Sequence, residues 1–163
     1  MRPIVRTLAL ASALTGSSPL FAEALVVSDL KAFDAKITAA SERCEIDTVL
    51  DRISPLATIS GTLFATGDMR AYRMNKAQYG EVLKRVCAAG RTWHAVVTNE
   101  KISIEGDQAI MTADVVETAV MNGRETTSRA HQRVTVELID GKLMLTQIHS
   151  NLVDQQALNE RSP

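Results

Sequence analysis

The chain is short of the residues that build metal sites. Its 163 residues hold three histidines, two cysteines and four prolines. Cys44 and Cys87 stand far apart, and His94, His131 and His149 are scattered, so no zinc-type ligand spacing exists. No metal and no other cofactor is expected. Lys and Arg number 18 against 19 Asp and Glu, without a basic run or patch, which argues against a nucleic-acid partner. Internal repeats, low-complexity segments and long linkers are also missing. Long hydrophobic runs are missing too. Leu8 to Leu14 is the apolar stretch that stands out, and it falls short of the roughly 20 residues that span a bilayer.

That stretch lies in residues 1–24, which read as a secretory signal peptide. Arg2 and Arg6 supply a positive start, Gly16 to Pro19 break the helix, and small residues allow a cut after Ala22 or Ala24. No Cys follows the apolar core, against a lipoprotein anchor; an uncleaved membrane anchor is the alternative. After cleavage no stable membrane insertion is expected. Removing Arg2 and Arg6 leaves 16 basic against 19 acidic residues, a mild net charge of −3. About 140 residues remain, enough for one core. The expected division is a signal peptide over 1–24, one domain over 25–155 and a short polar tail over 156–163, in a periplasmic or secreted protein.

Architecture is most legible between Gln108 and Val153, which read as three strands joined by tight turns at Asn122-Gly123 and Asp140-Gly141. Both dipeptides tolerate the positive φ of a type I′ hairpin. With two-residue loops, paired residue numbers sum to 245 across the first hairpin and 281 across the second. Strand alternation then sorts the side chains. One face carries Met111, Ala113, Val115 and Glu117, then Ser128 to Leu138 at every second position, then Leu143, Leu145, Gln147, His149 and Asn151. It is taken as the inner, helix-covered face. The other carries Thr112, Asp114, Val116, Arg129, His131, Arg133, Thr146, Ile148 and Ser150.

Upstream, Ser28 or Asp29 can cap a helix to about Glu42, with Leu30, Phe33, Ile37 and Ala40 on one stripe. A short helix spans about Glu45 to Ile53 and ends at Pro55. Residues 57–64 and 69–74 read as a hairpin. A third helix starts at Asn75, with Gln78 completing a capping box, buries Tyr79, Val82, Leu83 and Val86, and stops at Gly90. A long strand follows from about Arg91 to Ile104, with either Trp93 or His94 facing inward.

Helix, helix, hairpin, helix and four long strands is an order that resembles the nuclear transport factor 2-like superfamily. The resemblance is to its SnoaL-like branch and to the association domain of calmodulin-dependent kinase II, over about residues 28–153. Those relatives often end in Asp-Gly-Lys-Trp followed by His-x-His-x-Ser. Here Asp140-Gly141-Lys142-Leu143 leads to Gln147-Ile148-His149-Ser150-Asn151, so one His is kept while Leu, Gln and Asn replace Trp, His and Ser. The resemblance implies an α+β fold: a cone-shaped, strongly curved antiparallel sheet wrapped around N-terminal helices, with an internal pocket, the cystatin-like roll. Its members include isomerases, dehydratases and carboxylate-binding assembly domains, so fold does not settle function.

On the inner face, the register puts His149 opposite Gln132, with Gln147 and Asn151 beside it and Glu117 nearer the rim. These five are the candidate ligand-binding residues. His149, and Glu117 as the inward carboxylate, are the candidate catalytic groups; His149 could equally be held by Gln132 as part of the frame. On the outer face the register aligns Asp114, His131 and Ser150. A Ser–His–Asp row in mid-strand lacks a nucleophile elbow and an oxyanion hole. A polar ladder of Asp114, Arg129, His131 and Arg133, buried between two copies in a homodimer, is the expectation. Cys44 and Cys87 are either a disulfide or two separate buried thiols. The functional expectation is an exported domain whose cone pocket binds a small, oxygen-containing molecule rather than an enzyme. A homodimeric assembly module, or an isomerase-, dehydratase- or hydrolase-type enzyme, is the alternative.

N-terminal sequencing of protein recovered from the periplasm or medium of the producing cell is expected to begin near Glu23 or Leu25. A mature chain beginning at Met1 contradicts the leader.

Overall fold

The computed structural model describes residues 25–65, 68–90, 92–121 and 124–157. The expected leader, the two turns at 66–67 and 122–123, and the end of the tail lie outside them. Among the described residues the order is helix α1 (Val27–Glu42), short helix α2 (Ile46–Leu50), strands β1 (Ile53–Ala65) and β2 (Asp68–Asn75), helix α3 (Lys76–Ala88), then β3 (Thr92–Glu105), β4 (Gln108–Met121), β5 (Arg124–Ile139) and β6 (Lys142–Ala157). The strands form one curved, unclosed sheet in the order β2-β1-β6-β5-β4-β3. Neighbours are antiparallel except β1 and β6, which run parallel. That pair is the one parallel ladder in the otherwise antiparallel, curved sheet expected from sequence. Four strands and a helix separate β1 from β6, so the chain has the length that a parallel return needs.

Local chemistry explains most element ends. Asn75 Oδ1 accepts the Gln78 amide N–H at 2.9 Å, and Gln78 Oε1 accepts the Asn75 amide N–H at 3.0 Å, so the capping box of α3 is complete. Helix α1 instead starts at Val26 without a side-chain cap. The expected caps Ser28 and Asp29 fall inside its first turn, where Asp29 complements the helix dipole. Helix α2 ends at Leu50, and Ile53, read from sequence as helical, opens β1 fully buried. Pro55 therefore lies within a strand. The β1–β6 ladder shifts between Ile53 and Thr58, which is where a residue without an N–H is tolerated.

The core lies between the concave sheet face and the helices. Leu30, Phe33 and Ala40 of α1, Val49 of α2 and Leu83 of α3 meet Ile53, Ile59, Met111, Val136 and Leu145 from the strands. Leu30, Ile53, Ile59 and Val136 are essentially inaccessible. Each such side chain contributes about 1.5–3 kcal/mol by leaving water.

Register is where prediction and structure part. Between β4 and β5 it holds without a break from Gln108↔Glu137 to Met121↔Arg124. The β5–β6 hairpin begins as expected, with Asp140 (φ 51°) and Gly141 (φ 71°) both left-handed, as a type I′ turn requires. Pairing then runs Val136↔Leu145 and next Thr135↔Gln147, so Thr146 is an extra residue. A second shift falls between Arg129 and Ala130, where Val153 is extra. A bulge of one residue moves every later side chain to the other face. Gly61 lets β1 lie close to β6 beyond that point. A Cβ there would sit 1.9 Å from the Ser150 carbonyl oxygen.

Cys44 and Cys87 form a disulfide, Cα–Cα 5.9 Å, tying the α1–α2 junction to the end of α3 across a separation of 43 residues. In the chain-entropy account, closing a loop of that length stabilises by about 4 kcal/mol. The double variant Cys44→Ser/Cys87→Ser is expected to lose that much in urea unfolding. A variant as stable as the parent contradicts it.

Candidate functional site: an acid-lined cavity in the cone

A cavity of about 210 Å³ lies between the concave face and helices α1 and α3. Its floor is apolar: Met111 and Val115 from β4, Val134 from β5, Leu145 and Ile148 from β6. Helix α1 lines one wall with Asp34, Ile37, Thr38 and Ser41, and α3 adds Tyr79. Strand β3 brings Trp93, Ala95, Val97 and Glu100; Glu117 and Gln132 complete the lining from β4 and β5.

The helical wall follows from spacing. Asp34, Thr38 and Ser41 stand three to four residues apart, directly beside the stripe Leu30, Phe33, Ile37 and Ala40. A polar row abutting an apolar stripe on one helix is the signal that sequence reading passed over. Glu100 reaches the cavity through a bulge. Pairing in β3 shifts between Thr98↔Asp114 and Lys101↔Thr112, and Asn99 takes a left-handed φ of 54°. Lys31 Nζ stands 3.2 Å from Glu100 Oε2. Trp93 takes the inward position. His94 points outward, its Nδ1 2.9 Å from Glu42 Oε1, which also accepts the Ala95 N–H at 3.1 Å. That clamp joins the end of α1 to β3.

Two cavity groups are perturbed. The Asp34 carboxyl is held above the ordinary carboxylate range, chiefly by burial and then by the negative charge of Glu100. The Tyr79 phenol is pushed up to about 12, again chiefly by burial, with Tyr72 and Glu117 adding to it. Both therefore favour the protonated form more than they would in water.

Of the five expected ligand-binding residues, Glu117 and Gln132 line this cavity. The other three belong to the opposite face, because the extra Thr146 inverts β6. His149 pairs with Arg133, Gln132 with Ser150, and His131 with Asn151. Ile148 thus takes the inward position expected for His149 or Gln147. His149 is exposed and shares a 2.9 Å hydrogen bond with Ser60 Oγ on β1. The same inversion breaks the Asp114–His131–Ser150 row, since Ser150 now faces inward. Asp114 and His131 do pair across β4 and β5 and are hydrogen-bonded. The Asp114 carboxyl sits below its ordinary range, first through the Asn99 amide (2.6 Å) and then through His131. Arg129, His131 and Arg133 are exposed on the outer face, where Lys101, Asp114, Arg133, His149 and Asn151 border an open groove. Among the described residues no three His, Cys, Asp or Glu side chains gather as a metal site.

A carboxyl with a raised folded-state pKa contributes most to stability below its unfolded value, and that contribution is lost as pH rises through the folded value. Asp34→Asn is therefore expected to match the parent near pH 3 and to melt a few degrees higher at pH 7, followed by circular dichroism. A variant that melts lower at pH 7 contradicts the buried-carboxyl reading.

No family model matches the chain, and no curated protein matches it in sequence. Solved structures do match. The beta subunit of the benzoate 1,2-dioxygenase from Burkholderia mallei is 12% identical with a TM-score of 0.65, over 78% of this chain and 91% of that one. A candidate scytalone dehydratase from Novosphingobium aromaticivorans is 10% identical with a TM-score of 0.65, over 79% and 87%. A nuclear transport factor 2-like protein with a cystatin-like fold, also from Novosphingobium aromaticivorans, is 12% identical with a TM-score of 0.60, over 78% and 81%. At these identities the likeness concerns architecture alone, and the architecture of this chain is the nuclear transport factor 2-like, cystatin-like fold.

Proposed function

We propose that the cavity between α1, α3 and the concave sheet binds a small, oxygen-containing organic molecule in an exported, periplasmic or secreted protein. The observation that carries this reading is the cavity itself: an apolar floor with a few convergent polar groups, two of them perturbed, is the usual constitution of a small-molecule site. Its volume suits a ligand with one ring, since an engineered cavity of about 150 Å³ takes up benzene. Export is supported by the leader-like start and by a disulfide, which suits an oxidising compartment. The role proposed for His149 from sequence passes to Asp34, Tyr79, Glu117 and Gln132, while His149 belongs to the outer groove. Binding rather than catalysis is the reading. If the protein is an isomerase- or dehydratase-type enzyme, Asp34 and Tyr79 are the groups placed to move a proton.

A second reading, assembly through the outer face, draws on the dioxygenase beta subunit, by its name part of a larger assembly. In that reading Asp114, Arg129, His131 and Arg133 form a homodimer contact. Sedimentation of Arg133→Glu separates the two. A dimer that falls to monomer supports assembly, and a parent chain that is monomeric throughout rules the contact out.

For the binding reading, mass spectrometry of small molecules released on denaturing the purified protein is expected to find one ligand. Ala95→Phe, which fills the cavity at a cost of about 1–3 kcal/mol, is expected to purify folded without it. A ligand retained by the folded Ala95→Phe variant places binding elsewhere.

A further inference from the structure

One row of the outer sheet face crosses every strand and is cationic. Pairing aligns Lys101 with Thr112, Thr112 with Arg133, Arg133 with His149, His149 with Ser60 and Ser60 with Arg73. Cross-strand partners share a face. Two Arg, a Lys and an imidazole therefore stand in line with two hydroxyls and no carboxylate. The rows on either side hold a single acid, Asp114. Its carboxylate is engaged by the Asn99 amide at 2.6 Å and by His131. Lys101 acts on Asp114 by charge. Among the described residues, however, Lys101, Arg133 and Arg73 make no ion pair.

Lys101, Thr112, Arg133 and His149 also border the open outer groove, about 650 Å³ in volume. Thr112 is the short side chain between two long cations. Two strand spacings put the Lys101 and Arg133 backbones about 10 Å apart, a gap that their side chains can close on one anion. His149 is held in place, its Nδ1 2.9 Å from Ser60 Oγ. Where Nδ1 accepts the hydroxyl proton, Nε2 carries the ring proton and is a further donor.

We infer that this groove binds the phosphate group of a small, soluble phosphate ester, seated over Thr112 between Lys101 and Arg133. The Arg133 guanidinium offers a bidentate fork and Lys101 a point charge. Thr112 and His149 supply neutral donors. A phosphate monoester brings three acceptor oxygens and nearly two charges, so it uses more of the row than a carboxylate does. Ala113 is the apolar residue of the groove's lining, and nothing there would enter a bilayer, which favours a soluble ester over a lipid headgroup. The site lies on the opposite sheet face from the cone cavity and stands whether or not that cavity holds a ligand.

Glycerol 3-phosphate and glycerate, its carboxylate counterpart, test the inference when titrated into nitrogen-15-labelled protein at pH 7 and low salt. Glycerol 3-phosphate is expected to shift the amides of Thr112, Arg133 and His149 and to bind about tenfold more tightly than glycerate. Arg133→Ala and, independently, Lys101→Ala are expected to weaken it by about tenfold each. Arg85→Ala, on α3, is expected to leave it unchanged. The amide spectrum itself shows whether each variant is folded. Equal binding of glycerate overturns the phosphate assignment. Parent-like binding by folded Arg133→Ala and Lys101→Ala overturns the site, and spectra unmoved by either probe overturn the inference outright. Arg133-dependent co-sedimentation with vesicles of phosphatidic acid and phosphatidylcholine, without binding of glycerol 3-phosphate, overturns the soluble ester in favour of a lipid headgroup.

Discussion

One extra residue in β6 decides which side chains this protein shows to its interior. Thr146 has no partner in the β5–β6 ladder, and past it the alternation is reversed. Without the bulge, Gln147, His149 and Asn151 would enter the cone. With it, Ile148, Ser150 and Leu152 do. The interior keeps an apolar floor and loses its imidazole, while the outer face gains His149 beside Arg133. The sheet must curve to wrap α1, and bulges increase local bend and twist. The reversal at Thr146 and those at Asn99 and Val153 are thus part of how the cone is made.

The same economy governs the cavity walls. Helix α1 spends its stripe of Leu30, Phe33 and Ala40 on the core and leaves Asp34, Thr38 and Ser41 on the flank that meets open space. The β3 bulge swings Glu100 toward that flank. Burial, which stabilises the apolar stripe, is also what raises Asp34 and Tyr79. One physical cause therefore supplies both the fold and the weakened acidity of two groups in its pocket. The disulfide between Cys44 and Cys87 holds the helical side of this arrangement at the junction where α1 turns into α2.

Much of the fold could be read from sequence. The Asp140-Gly141 turn fixed a hairpin, the Asn75/Gln78 box fixed the start of α3, and the β4–β5 register followed residue by residue. Glu117 and Gln132 were found as cavity residues because they lie on strands whose mutual pairing is regular. His149 was misplaced because a bulge leaves little trace in sequence: Leu145, Thr146 and Gln147 alternate as plausibly in one register as in the other. Pro55 misled for a related reason, since a proline signals an interrupted ladder as well as the end of a helix. Asp34, Tyr79 and Trp93 were passed over because a site assembled from helices and sheet depends on how layers meet, which no single stretch encodes.

The face on which His149 stands can be measured without any ligand. Backbone NOEs across β5 and β6 in the labelled protein report strand partners residue by residue. The bulged register predicts cross-strand contacts of Arg133 with His149 and of Val134 with Ile148, with Thr146 unpaired. Contacts of Gln132 with His149 and of Val134 with Gln147 would restore the unbroken register, return His149 to the cavity and contradict this account of the site.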